Sequence, residues 1–124
     1  MSIEHIRLSK KAKDQLVRLK VVTGIQQWNI LCRWAFCLSL AEKSVPARMN
    51  IVTDRNVEMA WKVFGGEYAD IYYALLKERC LQDGLKIDET SLAEQFKLHL
   101  HRGISYLAGN KKVKGIKDVV TLVA

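Results

Sequence analysis

Residues 25–43, IQQWNILCRWAFCLSLAEK, most limit what this chain can fold into. Apolar side chains point in almost every direction around the predicted helix, and the polar stripe is limited to Gln26, Asn29 and Arg33. A helix that is apolar nearly all round must be covered on most sides. Because one small domain covers such a helix only in part, the surplus apolar surface predicts a homo-oligomer.

This segment does not predict a membrane span. Its longest apolar stretch, residues 28–41, contains Arg33 and is shorter than the roughly 20 residues that cross a bilayer. The N-terminal sequence MSIEHIRLSKKAKDQL is charged from the start and has no apolar core, so no signal peptide is predicted. We therefore expect a cytoplasmic protein with no membrane partner.

The first 24 residues predict a short strand followed by a basic amphipathic helix. The alternation in SIEHIRLS favours a strand or an extended arm. Ser9 is a suitable N-cap and Gly24 a suitable C-cap for a helix that ends near Thr23. One side of this helix is apolar, and the remaining surface carries Lys10, Lys11, Lys13, Arg18 and Lys20.

Two more helices are predicted in the middle of the chain. Pro46 restricts the residue before it and so ends the apolar helix. Asp54 is a candidate cap for a helix that reaches Phe64. Residues 67–83 predict another helix, which stops at Gly84. Its packed side is expected to hold Tyr68, Ile71, Tyr72 and Leu75.

The last long helix is predicted over residues 92–108. Ser91 and Glu94 have the spacing of a capping box, and Gly103 lies where a close helix contact is expected. One proline and seven glycines in 124 residues leave little loop, and this length fits a single domain. The predicted fold is mainly α: one compact helical domain over residues 1–124, with a short N-terminal strand or arm.

Charge is distributed unevenly along the chain. Residues 1–53 carry a net charge of +6, residues 54–94 carry −4 and residues 95–124 carry +5. Two basic ends around an acidic middle predict a face that binds a polyanion. A basic protein with no such partner is the alternative.

The segment YLAGNKKVKGIKDVV, residues 106–120, holds four lysines within seven positions. It is not a nucleotide-binding P-loop, because five residues separate Gly109 from Gly115 and Ile116 follows. Lysine ammonium groups bind backbone phosphates as point charges and read no base. The predicted DNA contacts are therefore Lys111, Lys112, Lys114 and Lys117, together with Arg102 and the basic side chains of the first helix. A solvated basic loop is the alternative.

No set of side chains predicts catalysis or metal binding. His99 and His101 point about 200° apart on one helix and cannot share a metal from that element alone, so surface or packing roles are favoured. Cys32, Cys37 and Cys80 lack zinc spacing and are expected to be buried free thiols. We predict a protein that is not an enzyme and has no cofactor and no metal.

The N-terminal half has the element order of ribbon-helix-helix proteins. A strand, a basic helix, a glycine turn and an apolar helix follow one another, and such proteins dimerise through a two-stranded ribbon that enters the major groove. In this arrangement Glu4, His5 and Arg7 are the candidate base readers. A ribbon-helix-helix transcriptional regulator is thus the alternative function.

Three blocks of sequence, in order, resemble the DndE family of bacterial DNA phosphorothioation systems. They are HIRLSKKAKDQLVRLKVVTGIQQWNILCRWAFCLSL at 5–40, FGGEYADIYYALLKERC at 64–80 and LHLHRGISYLAGNKKVKG at 98–115. The resemblance covers nearly the whole chain. It implies a small helical DNA-binding subunit that works with a sulfur-handling enzyme and an SMC-like ATPase.

The resemblance implies no catalytic residue, and it implies an oligomer, for which a tetramer is our prediction. The expected ligand is the phosphate backbone of double-stranded DNA. Because sulfur replaces a non-bridging phosphate oxygen in this modification, a subunit that holds a nicked or distorted strand would be more useful than one that reads bases.

Overall fold

This computed structural model describes residues 5–109 and the single positions Gly115, Lys117 and Val120; at residues 54–57 it describes the backbone only. The elements are β1 (His5–Leu8), α1 (Lys10–Thr23), α2 (Trp28–Ala41), β2 (Asp54–Ala60), α3 (Trp61–Gly65), a 3-10 turn (Gly66–Tyr68), α4 (Ala69–Gln82) and α5 (Glu89–Gly109). The predicted mainly α fold with a short N-terminal strand is confirmed.

The core forms around α2, which packs most extensively against α5. An aromatic cluster fills the centre: the Phe36 ring lies 5.9 Å from Phe64 and 5.1 Å from Phe96, and Trp61 lies 4.9 Å from Phe96. At the closest helix contact, a Cβ added to Gly103 would overlap the backbone carbonyl of Ala35. The glycine therefore permits the close approach expected from the sequence.

Helix α1 begins and ends where its sequence predicts. The Ser9 hydroxyl accepts a hydrogen bond from the Ala12 N–H at 3.0 Å, which satisfies one donor of the first turn. Gly24 has a left-handed backbone with φ 76°, and its N–H donates to the Lys20 carbonyl. Burial of Leu16 and Leu19 then directs the basic side of α1 outward.

The helix predicted from Asp54 to Phe64 is wrong over its first seven residues, which form β2. Strand β2 pairs antiparallel with β1, and His5 lies opposite Ala60. The pairing satisfies backbone groups along one edge of β1, a long-range gain that overrides local helical spacing. The helix begins after this strand, as the short α3 over Trp61–Gly65.

The predicted packed side of α4 is also wrong for three of its four residues. Tyr68, Ile71 and Leu75 expose 54%, 56% and 43% of their surface, and only Tyr72 packs against the core. The buried side instead carries Leu76, Arg79 and Cys80. Apolar residues lie on both sides of this helix, so its sequence pattern does not select one side.

Helix α5 starts three residues earlier than predicted, at Glu89. The carboxylate of Asp88 accepts hydrogen bonds from the N–H of Ser91 at 2.8 Å and from its hydroxyl at 3.2 Å. The Ser91 N–H also lowers the pKa of the Asp88 carboxyl. The predicted capping box at Ser91 is therefore one turn too late.

Candidate nucleic-acid interface

The outer side of α1 carries the cations predicted to bind phosphate. Lys10, Lys11 and Arg18 are exposed, and Lys13 and Lys20 are half-buried. A side chain with a long apolar stem can lie along the surface and keep its charged end in water. All five predicted cations of this helix therefore belong to one solvent-facing element.

Three of these cations line a shallow depression of about 520 Å³. Its lining consists of Lys10, Lys11, Arg18, Gln15 and one carboxylate, Asp14. Positive charge exceeds negative charge there, as an anion site requires. The depression is open to solvent.

The Lys20 ammonium group lies 4.6 Å from the ring centre of Trp28, at the start of α2. This distance is typical of a cation–π contact. The contact positions Lys20 beside the turn between α1 and α2.

Arg18 connects α1 to the C-terminal end of α5. Its guanidinium donates a hydrogen bond to the backbone carbonyl of Ala108. Ala108 lies next to Gly109, the last residue of α5, and Lys111 follows in sequence. The second half of α1 therefore lies beside the C-terminal end of α5.

The lysine-rich segment, residues 106–120, lies partly outside the described residues. Lys111, Lys112 and Lys114 lie outside the described residues, and Lys117 is exposed. Their contacts with phosphate stay predictions.

Arg102 is positioned by the end of α2. Its Nε donates to the Ser39 hydroxyl at 2.9 Å, and its terminal nitrogens donate to the carbonyls of Ser39 and Ser44, each at 2.8 Å. A guanidinium is well suited to the negative end of a helix dipole. The predicted DNA contact of Arg102 stays a prediction, but this side chain has a structural role that the sequence did not indicate.

Arg79 reaches the same helix end from α4. It donates to the Leu40 and Ser44 carbonyls at 2.8 Å each and pairs with the Asp83 carboxylate at 2.9 Å. Arg79 is buried, so these acceptors replace the water it has lost. The i,i+4 spacing of Arg79 and Asp83 was the one sequence signal for this contact.

His99 is fully buried beside the C-terminal end of α2, where Arg79 and Arg102 meet. Its Nδ1 lies 2.8 Å from the Ser39 hydroxyl, which also accepts from Arg102 and so can donate its proton to the ring. Burial, reinforced by the nearby charge of Arg102, lowers the pKa of His99 to about 4. The ring is neutral near pH 7 and acts in packing.

His101 links α5 to the start of α1. Its Nε2 accepts from the Ser9 N–H at 3.1 Å, so Nδ1 carries the proton and donates to the Lys97 carbonyl at 2.8 Å. Burial lowers the pKa of His101. No spacing in the sequence indicates this link, because Ser9 and His101 are far apart in the chain.

The ribbon of β1 and β2 presents the other predicted readers. Glu58 binds His5 Nδ1 at 2.8 Å and Arg7 Nε at 3.2 Å, while Glu4 lies outside the described residues. Strand β1 pairs with a strand of its own chain. A ribbon-helix-helix dimer instead forms its ribbon from two chains, so this geometry does not favour that alternative.

The three cysteines are free thiols. Cys32 and Cys80 are buried and Cys37 is half-buried. Burial raises the pKa of Cys32 to about 12, which makes it unreactive near pH 7. Within the described residues, no cluster of three or more His, Cys, Asp or Glu side chains is arranged to hold a metal ion. Each helix in this part of the chain is too short or too polar to span a membrane.

Comparison with known proteins supports the resemblance inferred from the sequence. The family model of the DNA sulphur modification protein DndE matches residues 5–115. The chain belongs to the DndE family. No curated protein matches it.

Solved structures of DndE share this fold. The crystal structure of DndE from Escherichia coli B7A, involved in DNA phosphorothioation modification, is 27% identical in sequence, with a TM-score of 0.72. The match covers 86% of this chain and 98% of that one. A lysine-substituted DndE mutant is 22% identical, with a TM-score of 0.66 over the same shares of the two chains, and supports the fold alone.

Proposed function

We propose that this protein is a DNA-binding, non-catalytic subunit of a bacterial DNA phosphorothioation system. It binds the phosphate backbone of double-stranded DNA through α1 and the lysine-rich segment. Membership of the DndE family places the protein in DNA sulphur modification. The basic ends of the chain supply the charge that a DNA backbone requires.

One observation carries the proposal: the hydrogen bond from Arg18 to the Ala108 carbonyl. It brings Arg18, in the second half of α1, next to the end of α5, from which the chain continues toward Lys111. In this proposal the two segments, which are separate in sequence, contribute to one basic surface. Such a surface can contact the phosphates along a DNA strand without contacting its bases.

The salt dependence of binding tests this proposal. Fluorescence anisotropy with a short labelled duplex should give an affinity that falls by about 0.9 log units per log unit of salt for each phosphate neutralised. The variant Lys111→Ala/Lys112→Ala/Lys114→Ala should bind more weakly and with a smaller salt slope. An affinity that stays constant between low and physiological salt would contradict the proposal.

A matched control separates the surface from total charge. Lys10→Ala/Lys11→Ala should lower the salt slope by up to about 2. Lys62→Ala/Lys86→Ala removes the same charge from exposed positions in the acidic middle of the chain and should leave the slope unchanged. Equal losses in the two variants would show that net charge alone decides binding.

The form of the DNA is a second part of the proposal. We expect a nicked duplex to bind more tightly than an intact duplex of the same sequence at matched salt, because the modification takes place on the backbone. Equal affinities would restrict the function to general duplex binding. An operator bound at least about a thousandfold more tightly than random DNA would favour a transcriptional regulator.

The protein also acts as a homo-oligomer in this proposal, with a tetramer as the expected state. Trp34, Ile30 and Leu38 on α2 are only partly buried, and Ile71 and Leu75 on α4 are exposed. Contact between copies would cover such apolar surface. Light scattering with and without a short duplex measures the number of subunits.

The remaining partners are the other proteins of the system, a sulfur-handling enzyme and an SMC-like ATPase, in the cytoplasm. A subunit that holds DNA supplies the substrate backbone to enzymes that carry the chemistry. Co-purification that survives nuclease treatment would support direct protein contact. Turnover of DNA by the isolated protein, lost on mutation of one polar side chain, would contradict the non-catalytic role.

A further inference from the structure

An apolar groove opens between α1, α5 and the segment 42–53, which joins α2 to β2. Its volume is about 480 Å³. The apolar part of its lining includes Ala12, Pro46, Met49, Val52, Leu98 and Tyr106. Charged phosphates do not pack favourably against apolar side chains, so the proposed DNA contacts do not explain this lining.

The segment 42–53 supplies one wall of this groove and has neither helix nor strand. Val45, Met49 and Val52 expose 49%, 56% and 79% of their surface, whereas Pro46 is buried. A connection of this length with exposed apolar side chains is typical of a binding segment. Methionine adapts its flexible side chain to different partners.

The backbone of this wall is available for pairing. No backbone-to-backbone hydrogen bond joins residues 45–52 to another residue in the described part of the chain. An extended peptide that lies along an open segment can satisfy such N–H and C=O groups. The groove therefore favours an extended occupant over a helical one.

Positive charge exceeds negative charge around the groove. Lys11 and Arg102 contribute to its lining, and no carboxylate does so among the described residues. On the segment itself Lys43 and Arg48 are exposed, together with one carboxylate, Glu42. An occupant with carboxylates would complement this charge.

We propose that this groove binds an extended segment of a partner protein that combines apolar and acidic side chains. The apolar side chains pack against Met49, Val52 and Leu98. The carboxylates lie near Arg48, and the peptide backbone pairs with residues 45–52. The site is a protein-docking site and is separate in function from DNA binding.

Selection from a phage-displayed library of random 12-residue peptides tests this inference. The wild-type protein should enrich peptides that combine apolar residues with Asp or Glu. Fluorescence anisotropy should then show at least a tenfold loss of affinity for the variants Met49→Glu and Val52→Glu. Enrichment of peptides without acidic residues, or no enrichment at all, would overturn the inference.

Two further variants act as controls. Ile87→Glu introduces the same charge at a residue that is 46% exposed and lies outside the groove, and it should keep wild-type peptide affinity. Met49→Ser/Val52→Ser removes apolar surface without adding charge and should also lower the affinity for the selected peptides. Equal peptide affinity in wild-type and Ser-substituted proteins would overturn the inference.

The other possible occupants give different results. Displacement of the peptides by a short duplex at physiological salt would make the groove part of the DNA interface. A changed mass of Met49→Ser/Val52→Ser in light scattering would make it an interface between copies. Either result overturns the inference. Unchanged DNA affinity and unchanged mass in this variant support it. The DNA-binding proposal is tested separately, by the salt dependence of duplex binding.

Discussion

Gly103 lies directly against the backbone carbonyl of Ala35, so that α5 and α2 meet without an intervening side chain. The variant Gly103→Ala should lower the free energy of unfolding by about 1–3 kcal/mol or more, because its Cβ forces the two helices apart. Chemical denaturation measures the change. Gly109→Ala, in the same helix but with no atom within 4 Å of the added Cβ, should be nearly neutral. Equal stability of the two variants would contradict the close contact.

Arg79 and Asp83 should respond unequally to mutation. Arg79→Met removes the donor to the Asp83 carboxylate and to the Leu40 and Lys43 carbonyls and should cost about 3–5 kcal/mol of unfolding free energy. Asp83→Asn should cost less, because Arg79 keeps its carbonyl acceptors. Denaturation of both variants checks the order. A larger loss in Asp83→Asn would show that the ion pair, and not the carbonyl contacts, stabilises the junction.

Loss of the Ser9 cap should destabilise α1. In Ser9→Ala the Ala12 N–H loses its acceptor, and we expect a loss of about 0.5–2 kcal/mol in the free energy of unfolding. Ser105→Ala, at an exposed position within α5, is the matched control and should change stability little. A neutral Ser9→Ala would mean that the His101 contact alone fixes the beginning of the helix.

Stability should fall in mild acid because of His99. Its pKa is near 4 in the folded protein and about 6.5 in the unfolded chain, so only the unfolded chain takes up a proton between these values. The free energy of unfolding should therefore be full above pH 6.5 and decrease toward pH 4, by at most about 1.4 kcal/mol per pH unit from this residue. His101, whose pKa is also lowered, acts in the same direction.

The variant His99→Asn isolates this effect. Its amide can still meet the Ser39 hydroxyl but does not titrate. Denaturation series at several pH values should show a smaller slope than in the wild type. An unchanged slope would assign the acid sensitivity to other groups.

Local sequence signals predicted the ends of α1 and the close contact at Gly103, since capping residues and a missing side chain act through near neighbours. They did not predict β2, because its pairing with β1 depends on residues far away in the chain. They also did not predict the buried side of α4. There Arg79 is buried because it caps α2, a tertiary role that hydrophobic spacing does not encode.

In the candidate site, too, local features could be predicted from the sequence and long-range contacts could not. The exposed cations of α1 follow from amphipathic spacing, but the contact of Arg18 with Ala108 and the positioning of Arg102 by Ser39 require the folded chain. A long, flexible cation satisfies whichever carbonyl lies within its reach. Its sequence position therefore indicates charge and not its partner.

The pairing of β1 with β2 has a consequence for the order of folding. The two strands enclose α1 and α2 in a loop of roughly fifty residues, and closing a loop of that length has a large entropic cost. Contacts between α1 and α2 are local and can form before the ends meet. We therefore expect the N-terminal strand, with His5 and Arg7, to be fixed late, so that amide exchange at Ile6 reports completion of the native state.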